Sequence, residues 1–345
     1  MHWLAVAQDA RVEDRGISAY FHLFKGWQSS YPETTGYIIN TFLDYGKFSN
    51  DESWNFRAKE AGNWLLSLQL KNDGFPGGVV QPNPQPRVFN TGMILFGLTS
   101  LSQQFQDKKY ITAGLKAVDW LVQSQDSDGS WKMISPEKLP HVYHSRVAWG
   151  MLFLTKEYFK NSIPGKYLDS ITKLNEWVCT QQESTGWFRN NELIPGLQPF
   201  THNIAYTLRG LFEVGFDLNR QDFIKAAIIP AKILMDDYFE HGWLSATYGP
   251  GWKRAASFRC LTGEAQMGLV WARIAQLTGE KEYLLAAKKS AVDVMKTQWI
   301  KNNHPESVYG GVPGAWPIWG SYLRFGYPNW AAKFLADLIM MLENL

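Results

Sequence analysis

One pattern recurs along this sequence and leaves few architectures open: a helix-like stretch, a Trp-Leu pair, a Gln five residues after the Trp, then a Gly-aromatic turn. The clearest copy runs from Trp120-Leu121 through Gln125 to Gly129-Ser130-Trp131. Others run from Trp64-Leu65 through Gln69 to Gly74-Phe75, from Trp177 through Gln182 to Gly186-Trp187, and from Trp3-Leu4 to Gln8. Two weaker copies are Met235 to Glu240 before Gly242-Trp243, and Asp293 to Gln298 before Trp299. The Trp-equivalent positions 3, 64, 120, 177, 235 and 293 are 61, 56, 57, 58 and 58 residues apart. Six such units fill residues 1–345, so a single repeat domain is expected.

Each unit holds two helical patterns. The first is amphipathic: Tyr110, Ala113, Ala117 and Trp120-Leu121 fall at helical spacing, with Lys108, Lys109 and Lys116 between them. The second, as in 93–101, 147–154, 204–212, 265–277 and 330–342, is apolar nearly all round and must be buried. An inner ring of buried helices inside an outer amphipathic ring satisfies both, which predicts an all-α, six-hairpin (α/α)6 toroid with little sheet. Gly74, Gly129, Gly186 and Gly242 are expected to supply a positive φ after the outer helices, helped by Asp73 and Asp128. Asp126-Ser127-Asp128-Gly129 lacks the further ligands of an EF-hand loop.

Composition narrows the function classes. With 45% hydrophobic residues a large core is within reach, and the 16 Trp, 15 Tyr and 20 Phe suit either that core or stacking on sugar faces. A net charge of +2 without a basic stripe gives nucleic-acid binding no support. Cys179 and Cys260 form no CxxC motif. The opening residues lack a basic n-region and no stretch has the length of a membrane span, so a cytoplasmic, non-inserted protein is expected. No cofactor and no metal are expected.

The Trp120 to Trp131 segment resembles the repeat of terpene cyclases and protein prenyltransferases. The acidic DxDD motif of triterpene cyclases is missing, Asp236-Asp237 lies in an outer helix, and the prenyltransferase zinc set is not apparent. A closer resemblance, to prenyltransferase-like proteins of bacterial exopolysaccharide gene clusters, rests on segments along the whole chain. These are Ser30 to Ile39, Arg146-Val147-Ala148-Trp149, Thr201 to Tyr206, Cys260 to Met267 and Tyr327 to Phe334. It implies a link to surface-glycan production without naming a reaction.

Those segments share a position: each opens a predicted inner helix. In a toroid these N-termini meet at one pole, where free N–H groups and helix dipoles favour anions. Polar residues concentrate there, and the candidate catalytic set is Glu33, Glu264, His144, His202, Arg146 and Tyr322. Tyr31, Trp27, Asn203, Arg259, Gln266, Trp316, Trp319 and Asn329 are the candidate substrate-binding set.

Each has a structural alternative. Glu33 follows Pro32 and is either a helix-start carboxylate or a general acid; Glu264 follows the possible cap Thr262 and divides the same way. A buried Arg146 needs an anion, from Glu33, Glu264 or a uronate substrate. His144 and His202 are either satisfied structural residues or proton carriers, and His141 with His144 lacks a third metal ligand. Trp316, Trp319 and Trp27 either stack on sugars or plug the pole.

The leading expectation is a carbohydrate-active enzyme of glycoside hydrolase or polysaccharide lyase type. A hydrolase would use Glu33 and Glu264 as its carboxylates. A lyase or epimerase would use Arg146 with His144, His202 or Tyr322. An isoprenoid or lipid-linked-sugar handling protein and a non-catalytic glycan binder are the alternatives.

Overall fold

The computed structural model describes residues 1–135, 138–160, 162–301 and 304–345. Among the described residues twelve α-helices alternate outer and inner along the chain, the (α/α)6 toroid class. The outer members are α1 (His2–Asp9), α3 (Ser53–Ser67), α5 (Lys108–Gln123), α7 (Gly165–Thr180), α9 (Gln221–His241) and α11 (Lys281–Met295). The inner members are α2 (Pro32–Ser49), α4 (Val88–Phe105), α6 (Ser145–Phe159), α8 (Thr201–Asp217), α10 (Leu261–Thr278) and α12 (Asn329–Glu343). Strands are two or three residues long among the described residues. No helix among them is long and apolar enough to cross a membrane. By contacts the chain divides into a first unit, Gln8–Ala19 with Ser29–Thr180, and a second, Met1–Ala7 with Tyr20–Gln28 and Gln181–Leu345.

In the first unit α2, α4 and α6 run parallel and touch through glycines. A Cβ on Gly97 would lie 2.2 Å from the Gly36 carbonyl oxygen, and one on Gly150 would lie 2.6 Å from that of Gly92. The obstacle in both cases is backbone, which cannot rotate away. Gly97→Ala is therefore expected to cost about 1–3 kcal/mol, read as a lower urea midpoint; an unchanged midpoint would show that α2 and α4 separate freely. The outer helices close on the same ring, with Gly62 against Leu101 and Gly114 against Leu154.

In the second unit a Cβ on Gly263 would meet Thr201 Cβ at 2.7 Å, which places the first turns of α8 and α10 side by side. Gly268 takes Leu338 of α12 in the same manner. Short antiparallel pairings lead into these helices. Arg259–Cys260 pairs with Ala315–Trp316 before α10, and Gly326–Pro328 pairs with Tyr20–His22 before α12.

The repeated glutamine proves to be a fastener. Gln125 Nε2 donates to the Gly129 carbonyl of its own turn (2.8 Å) and to the Ser170 carbonyl of the next outer helix (3.0 Å). Gln69 does the same to Asp73 and Ala113, Gln182 to Gly186 and Ala226, and Gln8 to Arg15 and Arg57. In the fifth unit Glu240 is exposed, and Lys289 of α11 reaches back to the Gly242 carbonyl at 3.4 Å.

Two local expectations need correction. In the second turn the left-handed residue is Asp73 (φ 68°) rather than Gly74. Gly74 is required instead because a Cβ there would lie 2.8 Å from Pro86 Cβ. Gly129, Gly186 and Gly242 have the expected positive φ. The residue capping α10 is Cys260, with no side-chain cap bond, and Thr262 lies inside the helix.

Candidate functional site

In the first unit the site is built on the starts of α2 and α6. Pro32 opens α2 after the extended Tyr31, whose side chain forms no cap, and puts Glu33 in the first turn with 9% of its surface exposed. Tyr31 Oη donates to Glu33 Oε2 at 3.0 Å. Burial pushes the Glu33 carboxyl up to about 7, against the opposing pull of the Tyr31 hydrogen bond and of the Arg146 charge. Arg146 is buried on α6 with its guanidinium over the rings of Trp149 (5.1 Å) and Phe96 (5.3 Å).

His144 ends a short 3-10 turn, Val142–His144, one residue ahead of α6. Its ring meets Trp131 edge-on at 5.7 Å, and Nδ1 has no partner among the described residues. Burial, then the neighbouring His141, holds its pKa well below the usual imidazole range, so it is neutral at physiological pH. Among the described residues no group of three or more His, Cys, Asp or Glu side chains could hold a metal ion.

The second unit holds the remaining candidates. Glu264, in the first turn of α10, is fully buried. Its Oε1 accepts from Arg259 Nε (2.9 Å) and from the Leu244 N–H (3.0 Å), and its Oε2 accepts from Arg259 Nη2. This bidentate clamp makes Arg259 the partner of Glu264 and fixes the entry to α10. Of the two readings open for Glu264, the ion pair with Arg259 and the Leu244 hydrogen bond favour the structural one.

His202, the second residue of α8, lies 5.2 Å from the ring of Tyr322 and 5.4 Å from that of Tyr206. Neither ring nitrogen has a partner among the described residues, and burial depresses its pKa to about 3. Tyr322 arrives from the loop before α12, where its oxygen accepts from Trp330 Nε1 at 2.9 Å, and burial drives its phenol far up. Asn203 Oδ1 and both amide atoms of Gln266 are likewise buried without partners among the described residues. Asn329 is buried at the first position of α12.

A histidine that stays neutral down to about pH 3 in the native state, yet protonates near 6.5 when unfolded, erodes stability across that interval as pH falls. His202→Leu should flatten the acid side of the stability curve between those values, followed by urea melts; a parallel acid limb would refute the burial of the imidazole.

The tryptophans separate. Trp27 is part-buried and packs on Trp3 (5.3 Å) and Phe21 (5.2 Å). Trp316 and Trp319 are 39% and 63% exposed. Sequence reasoning did not single out the aromatic neighbours of these candidates, Tyr206 beside His202, Trp330 on Tyr322, and Phe96 and Trp149 under Arg146. Tyr206 stands four residues after His202 and Trp149 three after Arg146, the helical same-face spacing that could have flagged them.

No protein-family model matches the sequence, and no curated protein matches it. Solved structures do match. Cellobiose 2-epimerase from Bacillus thermoamylovorans B4167 superposes with a TM-score of 0.77 over 99% of this chain and 95% of the other, at 12% identity. This is a six-hairpin toroid. Unsaturated glucuronyl hydrolase from Bacillus sp. GL1 shares that toroid with a TM-score of 0.76 over 99% and 95% of the two chains, at 12% identity. A D-mannose isomerase follows at 0.72 over 100% and 96%, with 11% identity. None of the three is described as a prenyltransferase or a terpene cyclase.

Proposed function

We propose that this chain acts on a carbohydrate, cleaving or remodelling an oligo- or polysaccharide, and that Glu33 is its general acid. The observation that carries this reading is the contrast among the three buried glutamates of the described residues. Glu264 is clamped by Arg259, and Glu213 by Arg209 and Arg273. Glu33 has a tyrosine hydroxyl for its hydrogen bond and titrates near 7. A carboxyl poised near the working pH gives and takes a proton most effectively. The aromatic-backed Arg146 beside it suits an anionic or polar sugar. Similarity to structures described as sugar epimerase, glucuronyl hydrolase and mannose isomerase supports the substrate class by fold analogy. The exopolysaccharide-cluster resemblance agrees with it.

In cleavage, Glu33 gives its proton to the glycosidic oxygen as the bond to the anomeric carbon breaks. It recovers one from the water that adds to that carbon. The test is incubation with neutral and uronate-containing glycans, following reducing ends and near-ultraviolet absorbance together. New reducing ends without absorbance are expected. Absorbance rising in step would replace hydrolysis by β-elimination, and silence in both would overturn cleavage.

One observation favours a second reading: His202 is neutral, without a hydrogen-bond partner among the described residues, and beside Tyr322, which suits proton transfer at a sugar carbon. Deuterium entering the sugar from heavy water, without new reducing ends, would select epimerisation. The unpartnered amide of Gln266 and Oδ1 of Asn203 weigh against an apolar isoprenoid tunnel at the same place.

A further inference from the structure

We infer that a pocket of about 380 Å³ in the second unit, walled by Trp243, Phe258, Arg259, Lys289, Asp293 and Trp316, binds a carboxylate-bearing sugar, a hexuronate of the glycan. The inference rests on the carbohydrate reading and adds the substrate's charge. It lies at the ends of the outer helices α9 and α11 and uses neither Glu33 nor His202.

Two features build the pocket. Arg259 and Trp316 are directly opposed residues of an antiparallel pair, so their side chains project from the same face. The half-exposed indole of Trp316 is thereby set beside the guanidinium. Glu264 takes Nε and Nη2 of Arg259 and holds the group rigid. Nη1 forms no hydrogen bond among the described residues, and the side chain lines the pocket. A fixed donor beside an aromatic face is the pairing that grips a sugar ring by its apolar face and its carboxylate by charge-assisted hydrogen bonding.

The local charge agrees. Asp293 is offset by both Lys289 (2.9 Å) and Lys296 (3.0 Å), and it also accepts from Tyr238 at 2.8 Å. With the Arg259–Glu264 pair, and counting Lys296, which stands outside the pocket wall, three cations face two carboxylates around the pocket. Its volume falls within the range of about 300–1,000 Å³ usual for small-ligand sites.

The experiment titrates the whole protein with a glucuronate-containing oligosaccharide and with a neutral oligosaccharide of equal length, reading tryptophan fluorescence and calorimetry. Tenfold or tighter binding of the uronate glycan is expected, with discrimination shrinking as salt rises. Trp316→Ala, at an exposed position, should weaken both ligands at least tenfold. Arg259→Lys, checked for folding by circular dichroism, should bring the uronate down to the neutral ligand's affinity. Equal affinities in the parent, no binding of either ligand, or full affinity in Trp316→Ala would each overturn the inference. Discriminating binding without any cleavage would defeat the Glu33 assignment and leave the pocket standing. Cleavage without discrimination would do the reverse.

Discussion

Glu33→Gln lowers glycan turnover by about 10²–10⁴-fold, the usual worth of a positioned proton donor, and removes the pH dependence centred near 7. The amide keeps the shape of the side chain and can still accept from Tyr31, so the first turn of α2 survives. The same substitution raises stability at alkaline pH. Burial lifts the carboxyl from an ordinary 4.5 to about 7, so between those values the native state holds a proton that the unfolded chain releases. Stability therefore falls as pH rises through that window, by on the order of 3 kcal/mol once the buried group is charged. The variant has no such charge to bury. Its advantage over the parent should be larger at pH 8 than at pH 5 in urea melts, alongside the lost turnover. Undiminished activity would remove Glu33 from the chemistry, and a pH-independent stability difference would mean that the carboxyl is hydrated in the native state.

Glu264→Gln acts on the fold instead, costing about 3–5 kcal/mol. The neutral amide leaves the Arg259 guanidinium in a largely buried position without its counter-charge, and it weakens the tie to the Leu244 N–H that closes the loop onto α10. The measurement is a denaturant midpoint compared with that of the parent, together with specific activity per folded molecule. A stable protein with collapsed turnover would return Glu264 to the catalytic set.

The architecture was legible in the sequence because it is written many times over. Trp120, Gln125 and Gly129 have counterparts in other units, and the all-apolar stretches mark the inner helices by a period that any one of them displays. Candidate residues at inner-helix starts were legible for the same reason. Their states were not. Nothing in the spacing of Arg259 and Glu264 distinguishes a clamp across a strand-to-helix junction from two separate side chains. That pairing depends on the extended backbone at Cys260 and on Leu244, 20 residues before Glu264. Glu33 and Glu264 stand at equivalent helix starts and differ because a cation closes on one while a tyrosine reaches the other. Asp73 taking the left-handed position from Gly74 was hidden likewise, since the deciding neighbours, Pro86 and Trp120, come from other segments.

The glutamine fasteners carry an evolutionary consequence. Each donates to main-chain carbonyls, as Gln125 does at Gly129 and Ser170, and every amino acid supplies that acceptor. The adjoining helix therefore needs no matching side chain to be held. A hairpin can be copied, exchanged or allowed to drift at this joint without a compensating side-chain change next door. Modules joined in this way can keep one architecture while their side chains diverge, because the joint asks only for a backbone acceptor.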